Sequence, residues 1–244
     1  MTRRTKRLLL AVPALFAAAL AGMGFLLYAN RVTTRVTALD RAAIARFMAA
    51  GGVRLPPAGL PDIDRQIAFI GSVQAAVMKL VPGNTGIPQG QPREPADLWR
   101  TRSGLCYDRS RLLEKIFRSY GFTVRHAALY AAPAGSGILT VLSHPGLSSH
   151  AVTEVKTVKG WLLVDSNAPF LALDAKGFPV SLSQMSRDAD RREIIYDKRY
   201  AAAMNPFYRK PFVIVYGLYS RHGGFYPPYN RIPDVNWKEA ADNL

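Results

Sequence analysis

At Gly121 the hydrophobic period of this sequence changes, and that change narrows the folds open to it. Before Gly121, residues 36–50 and 62–81 carry apolar side chains at helical spacing, as in Ile63, Ile67, Ile70, Val73, Val77 and Leu80. Residues 107–120 do the same, with Leu112, Leu113, Ile116, Phe117 and Tyr120 on one face and Gly121 placed to end the helix. After Gly121, residues 122–132, 138–143, 150–158 and 160–164 are rich in β-branched and aromatic side chains and read as strands. Lys159-Gly160 is short enough for a tight hairpin turn. Helices followed by antiparallel strands predict an α+β domain with a helix packed on a sheet.

Punctuation sets the remaining boundaries. Pro56, Pro57, Gly59 and Pro61 separate the first two helices as a turn, and Pro82 ends the second. Residues 82–97 hold four prolines and three glycines without periodicity, which predicts a long loop of the kind that usually serves function. Residues 181–204 read as helical, and 212–219 as a buried strand too short to cross a membrane. The tail 225–237 mixes Tyr226, Pro227, Pro228, Tyr229, Pro233 and Trp237 and is expected to wrap over the core.

The N-terminus has its own logic. Residues 8–29 form an uninterrupted run of 22 apolar or small residues, which as a helix would span roughly 33 Å, the thickness of a bilayer core. Arg3, Arg4, Lys6 and Arg7 precede it, so the positive-inside rule predicts a single-pass bacterial inner-membrane anchor with a cytoplasmic N-terminus and a periplasmic domain. A cleaved signal peptide is the competing reading, but its apolar region usually runs about 7–15 residues. Arg3-Arg4 resembles a twin-arginine signal only in part. The expected organisation is a basic tip and anchor (1–30), a helical region and loop (31–97), a catalytic core (98–175) and an extension packed on that core (176–244).

Charge and cysteine content exclude several classes. The net charge is +15, and none of the 17 acidic residues precedes position 40. That excess suits anionic lipid, acidic glycan or acidic substrate; no helix-turn-helix, zinc finger or RNP-like strand accompanies it, so no nucleic-acid partner is expected. A single cysteine, Cys106, rules out an intramolecular disulfide and a multi-cysteine zinc site. Taken alone, a lone cysteine is most often a small buried apolar side chain.

Its surroundings change that. Gly104-Leu105-Cys106-Tyr107-Asp108 opens the helical segment GLCYDRSRLLEKIFRSYGFTVRHAAL; His150 opens the strand His150-Ala151-Val152-Thr153-Glu154-Val155; and Trp161-Leu162-Leu163-Val164-Asp165 closes the next one. These three blocks, in this order over residues 98–175, resemble the bacterial transglutaminase-like family, circularly rearranged relatives of papain-type cysteine proteases. The resemblance implies a papain- or transglutaminase-like core with Cys106 as nucleophile, His150 as base and Asp165 as the residue that orients it. Physical chemistry points the same way. A thiol becomes a useful nucleophile when a helix N-terminus and an imidazolium lower its pKa. A hairpin also brings the start of one strand beside the end of the next. Asn167 and Asp174 remain alternative orienting residues.

The reaction implied is attack on a carboxamide or peptide carbonyl, a thioester intermediate, then transfer to water or an amine. Hydrolysis of a cell-envelope peptide or protein is expected ahead of amine transfer, because water needs no dedicated site. The alternative class is a non-catalytic envelope or polysaccharide assembly protein that keeps the fold. An oxyanion donor is expected from the backbone N–H of Cys106, with a second from the Trp99–Ser103 stretch. His126, His144 and His222 read as structural. His144 near His150 lacks a carboxylate or thiol partner at ligand spacing, no acidic cluster suits calcium, and no cofactor or metal is implied.

Overall fold

The computed structural model describes residues 3–54, 59–83, 85–88, 91–189, 192–219 and 234–244, with side chains from residue 12 onward except Leu27. Pro56, Pro57, His222 and the tail from 225 to Pro233 lie outside the described residues.

A 27-residue helix, α1 (Arg3–Ala29), precedes the domain. Its large described apolar side chains are exposed, Leu15, Phe16 and Phe25 by 65–70%. Part of the run expected as an anchor, residues 8–11 and Leu27, has no described side chains. Among the described residues, no helix is long and apolar enough to cross a membrane.

The helices α2 (Ala38–Gly51) and α3 (Ile63–Leu80) form where their periodicity places them, each started by a side-chain cap, Thr37 and Asp62. The segment 82–97 is not wholly a loop. The Asp97 carboxylate accepts from the Glu94 N–H at 3.1 Å around Pro95, and a short helix α4 (Pro95–Thr101) begins inside it. Helix α5 (Cys106–Ser119) follows, ending at Tyr120 and a left-handed Gly121.

Strand β1 (Thr123–Ala131) leads to the clearest departure from expectation. Residues 138–143 form a helix, α6 (Ile138–Ser143), rather than a strand. Only Val141 of its side chains is buried, which suits one face of a short helix, and both edges of β1 are already taken. Strands β2 (Ser149–Thr157) and β3 (Gly160–Val164) form the hairpin, with Thr157 opposite Gly160. The expected helix over 181–204 is broken into α7 (Leu182–Asp188) and α8 (Lys198–Ala201), because Arg192 takes a left-handed conformation between them. The strand over 212–219 also divides, into β4 (Phe212–Tyr216) and β5 (Leu218–Tyr219). Gly217 turns between them with φ 72°, and a Cβ there would lie 2.6 Å from backbone atoms of residues 236 and 240. Strand β5 pairs with β6 (Asp234–Val235), and α9 (Trp237–Ala240) follows.

The main sheet has the antiparallel order β3-β2-β1-β4. Its two faces are both covered. Val124, Val155, Leu162 and Val164 pack with α2, α3, α4 and α5. Leu129, Val152 and Leu163 face the other way, onto Phe170, Leu182, Met185, Tyr208 and Phe212. With both faces covered, burial along β1 and β2 is near-continuous rather than alternating, and it takes in polar residues such as His126, Thr153 and Glu154.

Candidate active site

Cys106 is the first residue of α5, where the helix leaves its leading N–H groups unbonded and its dipole is positive. Two contacts fix that start. Asp108 accepts from the N–H of Leu105 at 2.9 Å and from the N–H of Ile87, and its other oxygen takes Nη1 of buried Arg93 at 2.7 Å. Gly86 lies so close over this turn that a Cβ would meet the Tyr107 hydroxyl at 3.0 Å.

His150, second residue of β2, is buried and carries Asp165 on one side and Cys106 on the other. Its Nε2 lies 3.0 Å from Oδ2 of Asp165. The Cys106 thiol lies close enough to the same ring for His150 to be the chief group that lowers its pKa. Asp165 directly follows β3 and is fully buried. Its Oδ1 accepts from the N–H groups of Asn167 and Ala168 at 2.5 and 2.8 Å, while the Tyr208 hydroxyl donates to Oδ2. The structure thus brings Cys106, His150 and Asp165 together in series. The alternative orienting residues make other bonds: Asp174 caps its own turn through Lys176 and Phe178, and the Asn167 side chain, though close to the site, bonds Arg109.

The charges follow from these contacts. Burial pushes the Cys106 thiol up. The hydrogen bond and charge of His150, with the N–H groups of Ala151 and Tyr107, outweigh it, and the thiol titrates below its ordinary value. Burial pulls His150 down, but Asp165 and Cys106 lift it to about 9. Burial raises Asp165, and His150, Tyr208 and Asn167 bring it below the ordinary carboxylate value. The arrangement favours a thiolate–imidazolium pair held by a carboxylate.

Several supporting residues carried no signal in the sequence. Gln74 of α3 is buried, and its Nε2 donates to the carbonyls of Asp165, Ala168 and Phe170 at 2.7, 3.1 and 3.0 Å, pinning the turn that holds Asp165. The Ser166 hydroxyl donates to the Ala151 carbonyl at 2.6 Å, tying that turn to β2. Tyr208, from the C-terminal third, supplies a donor that no local pattern announces. Removing its hydroxyl with Tyr208→Phe leaves a buried carboxylate one donor short, so the unfolding free energy should fall by about 1–3 kcal/mol. Denaturant unfolding checks this; a variant as stable as wild type would show that Asp165 does not depend on the phenol.

Of the other expected groups, Trp99 packs edge-on against Phe47 at 5.0 Å, with Arg102 stacked over it, and acts as a core wall. Buried His126 bonds Ser110 at 2.9 Å, and burial lowers it to about 4. His144 bonds the Thr140 carbonyl. Among the described residues, no group of three or more His, Cys, Asp or Glu side chains could hold a metal ion.

No family model and no curated protein matches the chain. Among solved structures, a protein of Cytophaga hutchinsonii described as a "putative cysteine protease" is similar, with 14% identity and a TM-score of 0.36. The match covers 81% of this chain, which spans 58% of that protein's length.

Proposed function

We propose that this chain is a membrane-anchored, extracytoplasmic cysteine hydrolase that cleaves amide or peptide bonds through a thioester on Cys106. One observation carries the reading: a thiol at a helix N-terminus beside a buried imidazole, which a buried carboxylate holds by a hydrogen bond. The thiolate attacks the carbonyl carbon, and the negative charge on the oxygen falls toward the unbonded N–H groups of the first turn of α5. His150 passes its proton to the leaving nitrogen as the C–N bond breaks, which leaves the thioester. Water then attacks the thioester carbon while His150 takes its proton. The C–S bond breaks, releasing the acid and restoring the thiolate. Asp165 holds the ring and balances its charge throughout.

The substrate class is a peptide or protein of the bacterial cell envelope, with hydrolysis ahead of amine transfer. The exposed apolar side chains of α1 and the basic residues of its first two turns support an inner-membrane anchor with the domain in the periplasm. The test pairs Cys106→Ser with labelling by a vinyl-sulfone probe. The variant should lose the label and the cellular function while accumulating as folded protein in the membrane fraction. Function retained by folded Cys106→Ser would make the chain a scaffold, and activity of a cytoplasmic reporter fused after residue 40 would reverse the topology.

A further inference from the structure

A cleft of about 300 Å³ opens on His150, and Cys106 is not among the residues that line it. Its size is at the lower end for ligand pockets, and its lining is unusual in polarity. Ser148, Ser149, Asn167, Asn205 and Lys210 face it, Phe207 walls it against the His150 ring at 5.9 Å, and no carboxylate lines it.

The two asparagines are fixed as donors. Arg109, one turn along α5 from Cys106, donates through Nη2 to Oδ1 of Asn167. A guanidinium has no acceptor, so the amide oxygen must face it and the NH₂ group is left for the cleft. The backbone N–H of Phe207 likewise donates to Oδ1 of Asn205 at 3.0 Å, which leaves the NH₂ of Asn205 free. Lys210 forms no ion pair among the described residues. Behind this wall, Arg109 is only 6% exposed, its Nε is unbonded and it too lacks an ion-pair partner. The charges of Cys106, Asp165 and Asp108 act on Arg109, so the unpaired cation at the cleft, among the described residues, is Lys210.

We propose that this cleft is an anion subsite that receives a carboxylate on the leaving-group side of the scissile bond, held by Lys210 and the amide donors of Asn167 and Asn205. The assignment to the leaving group rests on the cysteine-hydrolase reading, because His150 must protonate the departing nitrogen and the cleft begins at His150. The carboxylate itself can come from an acidic side chain or from a free C-terminus, and the experiment separates the two.

Full-length Cys106→Ser protein is titrated calorimetrically with three dipeptides: Ala-Glu amide, with only a side-chain carboxylate; Ala-Gln, with only an α-carboxylate; and Ala-Gln amide, with neither. One acid should bind roughly 10- to 100-fold more tightly than the neutral peptide, the usual worth of charge-assisted hydrogen bonds. Lys210→Glu, at an exposed position, should erase that preference. Equal affinity for all three, no binding by any, or a preference that survives Lys210→Glu would overturn the subsite. Iodoacetamide labelling of Cys106 at pH 6, in proteins with Lys210 and with Lys210→Glu, reports on the thiol alone. Slow labelling would overturn the hydrolase reading and leave the binding result standing.

Discussion

Cys106 should be alkylated by iodoacetamide at pH 6 at least about tenfold faster in the wild-type protein than in His150→Ala. An ordinary thiol, with a pKa of about 8.5, is only roughly 0.3% thiolate at that pH. In this site the thiol is lowered, chiefly by the hydrogen bond and charge of His150 acting against burial. The sign on the imidazole is the opposite. His150 is raised to about 9, so its positive charge is present at pH 6 and 7 and is lost as pH rises through about 9. The stabilisation it lends the folded pair is therefore complete below its ordinary value of 6.5 and fades above it. Wild-type alkylation should vary little between pH 6 and 8, whereas His150→Ala should climb steeply over that range. Turnover should fall by about 10⁴-fold or more on loss of either Cys106 or His150, and by less on loss of Asp165. A wild-type rate profile centred near 8.5 and unmoved by His150→Ala would mean that Cys106 is an ordinary thiol.

The residues of this site were legible in the sequence because each stands at the end of an element. Cys106 begins a helix whose apolar face is continuous, His150 opens a strand and Asp165 closes its hairpin partner. Ends of elements are marked by changes of period, and those changes survive in one dimension. What holds the site does not. Gln74 sits 91 residues from the carbonyl of Asp165 that it binds, and Tyr208 sits 43 residues from the carboxylate it donates to. No spacing rule connects such pairs. The same limit explains residues 138–143. Their β-branched content fits a strand, yet a strand needs a free edge, and β4 from residues 212–216 has filled the one beside β1. Helical periodicity misleads in another way at α5. It finds Leu112, Leu113, Ile116 and Phe117, but Arg111, Glu114 and Lys115 on the other faces are at most 1% exposed as well. Pattern alone assigns such charges to solvent.

Those buried charges make the second large effect: Arg111→Ala should destabilise the protein by about 3–5 kcal/mol, the cost of leaving buried ions unpaired. For a domain of this size that is a fall in Tm of roughly 6–20 °C. Arg111 donates to Glu114 at 2.8 Å, to Glu94 at 2.9 Å and to the Thr33 carbonyl at 2.9 Å. Lys115 bonds Asp40 at 2.9 Å and the Arg35 carbonyl at 2.5 Å, and Arg118 bonds Glu114 and Glu239 at 3.0 and 2.6 Å. The helix that carries Cys106 is thereby clamped to the chain entering from α1 and to the C-terminal helix α9. Three cations, Arg111, Lys115 and Arg118, serve four carboxylates, Asp40, Glu94, Glu114 and Glu239. One carboxylate too many means one retained proton. Arg111 and Arg118 keep Glu114 ionised, so burial and the Glu114 charge place the proton on Glu239, whose pKa is raised. A raised acid stabilises the fold below its ordinary pKa and loses that stabilisation as pH rises toward its folded value. The wild-type Tm should therefore decline as pH rises from about 4.5 to about 8, and Glu239→Gln should flatten that decline. Thermal unfolding across pH measures both effects. A Tm for Arg111→Ala within about 2 °C of wild type, less than the shift from 1 kcal/mol in a domain this large, would show that water reaches these charges and that the clamp is not buried in solution.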